Sequence, residues 1–439
     1  MNSGDKQVFF QPMNEPLTIY SARGLWCPRT GYVDNGAVAV APEGVVAAAG
    51  RSADVSAAVA GRSALRCDCG EGLLIPAFIN AHSHLEYSFL RKRMPRGAAF
   101  VDWLGAMVLA KSTTPQVTVE QAVPEAVLDM LDGGARAVGE ICSSSAAVPA
   151  LLKSRIRGGR LFAELICPST QMQPERLRAF ETLWTALAGQ DRFVAGVSPH
   201  APYTVAPALW GWIRDFRRRR AKAEEELIPQ CIHCAETPEE VEMFSRGRGA
   251  LLERLREWGV LDPDWTPPRC SPVEFLRRMS ALDGATLLAH CNCLVDETDP
   301  TGRRDLPDIQ IIRQAGCSVV VCPGTHQWFD RGGHPLERLC RAGVNVCLGT
   351  DSLASNESLS LLREIALARR LAPGLSLAEI LSMATINAAR ALHLDGGWGT
   401  LRAGAPEPPL VLRPKAPWSD MDDIDVESAV IVPLEPGLE

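Results

Sequence analysis

The chain has 439 residues, with 45 Lys and Arg against 52 Asp and Glu for a net charge of -7, and is 46% hydrophobic and 22% charged. That composition excludes a disordered or fibrous chain, and the length exceeds the roughly 250 residues of a bare eight-fold barrel, which leaves room for an appended domain. The basic run Arg217 to Arg220 with Lys222 is followed at once by Glu224, Glu225 and Glu226, so it reads as a solvated helix face and excludes a nucleic-acid partner.

Met1 to Pro16 shows no basic segment leading into an apolar run, and no stretch approaches the ~18 apolar residues of a membrane span, so a cytoplasmic protein without a membrane partner is expected. Leu17 to Asp68 alternates short β-like pieces with Gly, Pro and Asn turns. After Leu73, apolar runs separated by amphipathic stretches mark parallel strands linked by helices. The runs are Leu73 to Ala81, Ala135 to Ile141, Arg160 to Cys167, Phe193 to Ser198, Ile228 to His233, Thr286 to His290, Cys317 to Cys322 and Val344 to Gly349. Helices are expected over Pro207 to Lys222, Pro238 to Trp258, Leu306 to Gln314 and Ser358 to Leu371, with Gly247 to Gly249 read as a turn. β-like text returns at Pro409 and Ser428. The expected fold is therefore α/β, a (β/α)8 TIM-type barrel over residues 73–399 with a small β-sandwich domain formed by both chain ends, 1–72 and 400–439. The 14 cysteines lie mostly in apolar runs and read as buried free thiols.

Of the 8 histidines, His82, His84, His200, His233 and His290 fall at the carboxyl ends of predicted strands, the edge where barrels carry their sites. His82 and His84 share one face of the first strand because side chains alternate. With His233 and Asp351 they form three imidazoles and a carboxylate, a set suited to one divalent metal, Zn(II) in preference to Fe(II), with a position left for water. Glu236, three residues past His233, is placed to move a proton between that water and a leaving nitrogen. His290 would orient or polarise the reactants, and His200 would contact substrate. Trp103, Trp328 and Phe329 are candidates for a stacking wall, and Arg91, Arg93 or Arg96 for a carboxylate on the substrate.

The segments Ile75 to Glu86, Ser198 to Tyr203, His233 to Glu236, Leu288 to His290 and Leu348 to Asp351 resemble, in order, the amidohydrolase superfamily in its cytosine deaminase and adenosylhomocysteine deaminase-like branch. The resemblance implies metal ligands at His82, His84, His233 and Asp351, a proton shuttle at Glu236, a catalytic His290 and a substrate-binding His200. Binuclear relatives carry a carboxylated lysine after the fourth strand, and the absence of lysine between Phe193 and Ala206 implies a single metal. Phe100 to Leu104, Ala235 to Val241, Cys322 to His326 and Thr350 to Asn356 look like the aminodeoxyfutalosine deaminase-like group, which acts in menaquinone biosynthesis; His326 joins the substrate-contact candidates. That group usually has Cys-Pro-Arg-Ser where this chain has Cys322, Pro323, Gly324 and Thr325, a departure that bears on substrate choice. Another departure, Pro406 to Leu410, concerns the small β domain.

The expected activity is hydrolytic removal of the exocyclic amino group of a purine-like nucleoside or base, aminodeoxyfutalosine among them. Two alternatives stay open. One is hydrolysis of another C–N or C–Cl bond, as in chlorohydrolase-like, guanine or methylthioadenosine/adenosylhomocysteine deaminases; the other is a catalytically silent barrel serving as a binding module. The expected partner is a small-molecule substrate, with a homodimer left open.

Overall fold

The computed structural model describes residues 16–221, 227–295 and 307–434. Lys222, Glu224 to Glu226, Leu306 and Met1 to Glu15, used above, lie outside the described residues.

Eight strands, Phe78–Ser83, Ala135–Cys142, Gly158–Leu165, Phe193–Pro199, Gln230–Cys234, Thr286–His290, Ser318–Val321 and Asn345–Leu348, follow one another around a sheet in chain order. Each is parallel to its neighbour. The sheet closes where the amides of Thr350 and Asp351 donate to the carbonyl of His82, both at 3.0 Å, and Ser83 bridges to Asp351. Gly349 permits this approach, since a Cβ there would lie 2.8 Å from the Cβ of His82. Ile79, Phe162, Cys231, Leu287, Val320 and Cys347 fill the interior against the helix Ile386–Ala391, as inward side chains do in such barrels.

The first predicted run divides. Leu73–Ile75 pairs with Leu17–Cys27 and Leu410–Arg413 in the sheet of the chain ends, and the barrel strand starts only at Phe78, beyond Pro76 and Ala77. That second sheet has seven strands and is branched: Gly31–Val40 lies along one edge of Leu17–Cys27, while Ala64–Asp68 and Leu73–Ile75 share the other. The predicted helix from Pro238 to Trp258 is two helices, Pro238–Arg246 and Ala250–Glu257, broken at Gly247 and Gly249 with φ of 63° and 107°.

The basic run is not wholly solvated, which corrects the reading above. Arg218 to Arg220 are exposed, but Arg217 is 1% exposed and holds Asp283 through both terminal nitrogens at 2.8 and 3.0 Å, with Nε donating to the carbonyl of Ile228. Paired in this way, its charge can be buried. All 14 cysteines are free thiols. No described helix is long and apolar enough to cross a membrane.

Candidate active site

The carboxyl ends of the barrel strands bring the polar residues together. The first strand carries a register irregularity between Asn80 and Ser83. Past it, His82 and His84 converge: His84 Nε2 lies 3.2 Å from both His82 Nε2 and His233 Nε2. His233 Nδ1 must donate to the carbonyl of His200, 2.9 Å away, which leaves its Nε2 as the lone-pair donor to the centre. Asp351 Oδ1 stands 3.8 and 3.6 Å from the Nε2 atoms of His82 and His84. Burial, then the neighbouring imidazoles, pushes His82 and His84 well below the usual histidine range. Neutral imidazole nitrogens this close, aimed at one point beside a carboxylate, fit a divalent cation.

Backbone strain marks the same rim. Four of the ten described non-glycine residues with positive φ are Ala235, His290, Cys291 and Asp351, at 49°, 73°, 50° and 56°. Each costs on the order of 1–3 kcal/mol. Asp351 is also held by its other oxygen: Oδ2 accepts from the hydroxyls of Thr325 and Ser355, each at 3.0 Å. Thr325, half of the departure from the related group, thus acts on Asp351. Gly324 is packed away, because a Cβ there would lie 2.4 Å from the Asn356 amide atoms and 2.5 Å from Glu364 Oε1.

Glu236 sits just before the helix Pro238–Arg246, whose cap is Thr237. The first-turn acids are Glu239 and Glu240, and Oε2 of Glu240 accepts from the Glu236 amide at 2.8 Å. Glu236 is therefore free of the helix. Its Oε2 lies 3.9 Å from His290 Nε2 and its Oε1 lies 3.7 Å from Arg331 Nη2. Burial above all lowers His290 to about 3 and His200 to about 4. His200 Nδ1 meets Thr204 Oγ1 at 2.9 Å, while its carbonyl also accepts from the amide of His233 at 2.8 Å. His200 thereby sets the orientation of His233.

Other expectations fall differently. Trp103 packs on Phe329, with ring centroids 5.3 Å apart, and its indole N–H donates to the carbonyl of Ala354 at 2.9 Å. His326 pairs edge-on with His334 at 5.0 Å. Arg91 is tied to Asp129 at 2.7 Å and Arg96 to Glu357, so the cation brought beside Glu236 is Arg331. The sequence reading missed Arg331 and Glu164. Glu164 had a visible signal, since it shares the strand face of Phe162 in the barrel interior.

The amidohydrolase family model matches residues 73–406, well over half of the chain. An aminodeoxyfutalosine deaminase of Deinococcus radiodurans is 30% identical over 302 residues, 66% of this chain and 66% of that protein. A 5-methylthioadenosine/S-adenosylhomocysteine deaminase of Caldanaerobacter subterraneus subsp. tengcongensis is 28% identical over 295 residues, 66% of this chain and 59% of that one. The chain thus spans less than two thirds of the length of these relatives. A zinc-bound adenosine deaminase from Xanthomonas campestris shares the fold at a TM-score of 0.74 and 22% identity, covering 94% of this chain and 90% of that one. The chain therefore belongs to the amidohydrolase family.

Proposed function

We propose that the protein is a hydrolytic deaminase of a purine-like nucleoside, with aminodeoxyfutalosine the first substrate to test. The observation that carries this is Glu236, a buried carboxylate free of its helix, 3.9 Å from His290 and at the same rim as the three converging imidazoles. The deaminases among the relatives support the same reading. His82, His84, His233 and Asp351 would hold one divalent cation, Zn(II) in preference to Fe(II). When bound, such a cation lowers the pKa of water toward neutrality and polarises the reacting carbon's substituents.

The chain's own residues then handle the protons. Glu236 takes one proton from the attacking water and passes it to the ring nitrogen as the ring C=N bond becomes single; the water's second proton then moves to the exocyclic nitrogen, the C–N bond breaks, ammonia leaves and the ring carbon becomes a carbonyl. His290, neutral at physiological pH, donates from Nε2 to the developing oxyanion. Asp351, held by Thr325 and Ser355, keeps its free oxygen toward the imidazoles.

The test is ammonia release from aminodeoxyfutalosine, methylthioadenosine, adenosine and guanine by Zn(II)-loaded protein. Turnover of at least one is expected, and turnover of none overturns the proposal. Glu236→Gln should keep the metal and lose at least ~100-fold in kcat, whereas His82→Ala should lose metal and activity together.

A further inference from the structure

One loop reaches Glu236 at two levels, the backbone and the carboxylate. It runs from Phe329 to Pro335, after the helix Pro323–Trp328, and turns through Asp330 and Gly333 with φ of 50° and 45°. His334 Nδ1 accepts from the amide of Leu336 at 2.9 Å, so its Nε2 carries the proton and donates to Asn292 Oδ1 at 3.0 Å. Asn292 Nδ2 donates in turn to the carbonyl of Glu236 at 3.1 Å. The amide of Glu236 is already spent on Glu240. Its backbone is thus held on both sides, and only the side-chain torsions remain to be set.

Arg331, on the same loop, faces the carboxylate. Its guanidinium lies over the ring of Phe329, 4.5 Å from the centroid, and Phe329 packs on Trp103 and Phe100 with centroids 5.3 and 6.0 Å apart. A planar cation stacked on an aromatic face keeps a fixed orientation. Both Nη atoms are buried and hydrogen-bond to none of the described residues, and the carboxylate within ion-pair range is Glu236, whose Oε1 lies 3.7 Å from Nη2. A buried charge is tolerated beside an opposite one and costly without it. Buried in this way, the guanidinium meets Glu236 and not the substrate.

Resting on the deaminase reading above, we infer that Arg331 is a positioning residue of the reaction: it draws Glu236 Oε1 to its own side and leaves Oε2, 3.9 Å from His290 Nε2, as the oxygen that takes the water's proton and passes it on. Trp103 and Phe329 serve by holding the guanidinium in place.

The experiment is a double-mutant cycle on the Zn(II)-loaded protein, with Arg331→Met, Glu236→Gln and the two together, read as kcat and KM for a nucleoside that the native protein deaminates. Arg331→Met should lower kcat at least ~10-fold, as a misaimed catalytic group does, with KM within about 3-fold of the native value and bound zinc unchanged. It should cost little more once Glu236 is Gln. The same cycle followed by denaturant unfolding should show the two side chains coupled by at least ~5-fold in the unfolding equilibrium constant. Arg331→Gln repeats both readings should Arg331→Met not fold. A raised KM with kcat intact makes Arg331 a substrate contact, and additive losses in kcat make it independent of Glu236; either overturns the inference. If no nucleoside is deaminated, the deaminase reading fails, and the unfolding cycle alone decides whether Arg331 holds Glu236, a coupling under about 2-fold overturning it.

Discussion

Replacing Thr325 by Val removes one hydroxyl, keeps the side-chain shape, and leaves Asp351 Oδ2 with Ser355 as its remaining hydroxyl partner. The lost contact is a 3.0 Å hydrogen bond to a buried carboxylate, and such bonds to charged groups contribute about 1.5–3 kcal/mol. If Asp351 is a metal ligand, the loss should weaken Zn(II) binding by roughly 10–100-fold. Competition with a chromophoric chelator measures this directly. The fall in kcat/KM at limiting Zn(II) should be restored by excess metal, and KM for a given nucleoside should hold once the site is filled. Unchanged Zn(II) affinity together with a raised KM would refute the reasoning, because it would make Thr325 a substrate contact.

Two further outcomes follow from the geometry. Gly349→Ala forces a Cβ to within 2.8 Å of the Cβ of His82; we expect a loss of about 1–3 kcal/mol by denaturant unfolding, and an unaltered midpoint would show that the closing seam is looser than described. The acid stability of metal-free protein should show a break near pH 4.5. His82 and His84 lie well below the ordinary value, His200 and His326 are lowered to about 4, and His290 and His334 to about 3, so their contribution is complete above pH 6.5 and drains as the pH falls from there through the folded values of about 4 and 3. Glu86, Glu240 and Glu364, raised to about 6, 8 and 7, and Glu140, raised well above its ordinary value, work the other way, adding stability as the pH falls until about 4.5. Titration-scanned unfolding should therefore be shallow from pH 6 to 4.5 and steep below it, by roughly 1.4 kcal/mol per pH unit for each uncompensated histidine. A uniform slope contradicts the opposing sets.

Much of this was legible because the signals are local. A histidine at the end of an apolar run needs only the run to be placed, and Glu236 needs only its three-residue offset from His233. What was not legible depends on distant partners. Leu73 to Ile75 and Phe78 onward form one apolar text, and pairing with Gly24 and Leu25 and with Leu410 to Leu412 shows that they belong to different sheets. Arg217 looked like its exposed neighbours because Asp283, 66 positions away, is what lets it be buried. Arg331 reaches Glu236 across two different barrel loops, and the indole N–H of Trp103 donates to Ala354, 251 positions away.

The closing seam joins the first strand of the barrel to the last. His82 stands on the first barrel strand and Asp351 just past the eighth, and they become neighbours only when Gly349 slides against His82. Nearly the whole barrel lies between them in the chain, so their meeting closes a long loop, at an entropic cost that grows only with the logarithm of its length. A cation held by both residues would be a clasp across that join. Uptake of metal would then mark the moment the ring is finished, and its removal should let exchange with solvent begin at the seam between first and last strands before it reaches the strands opposite.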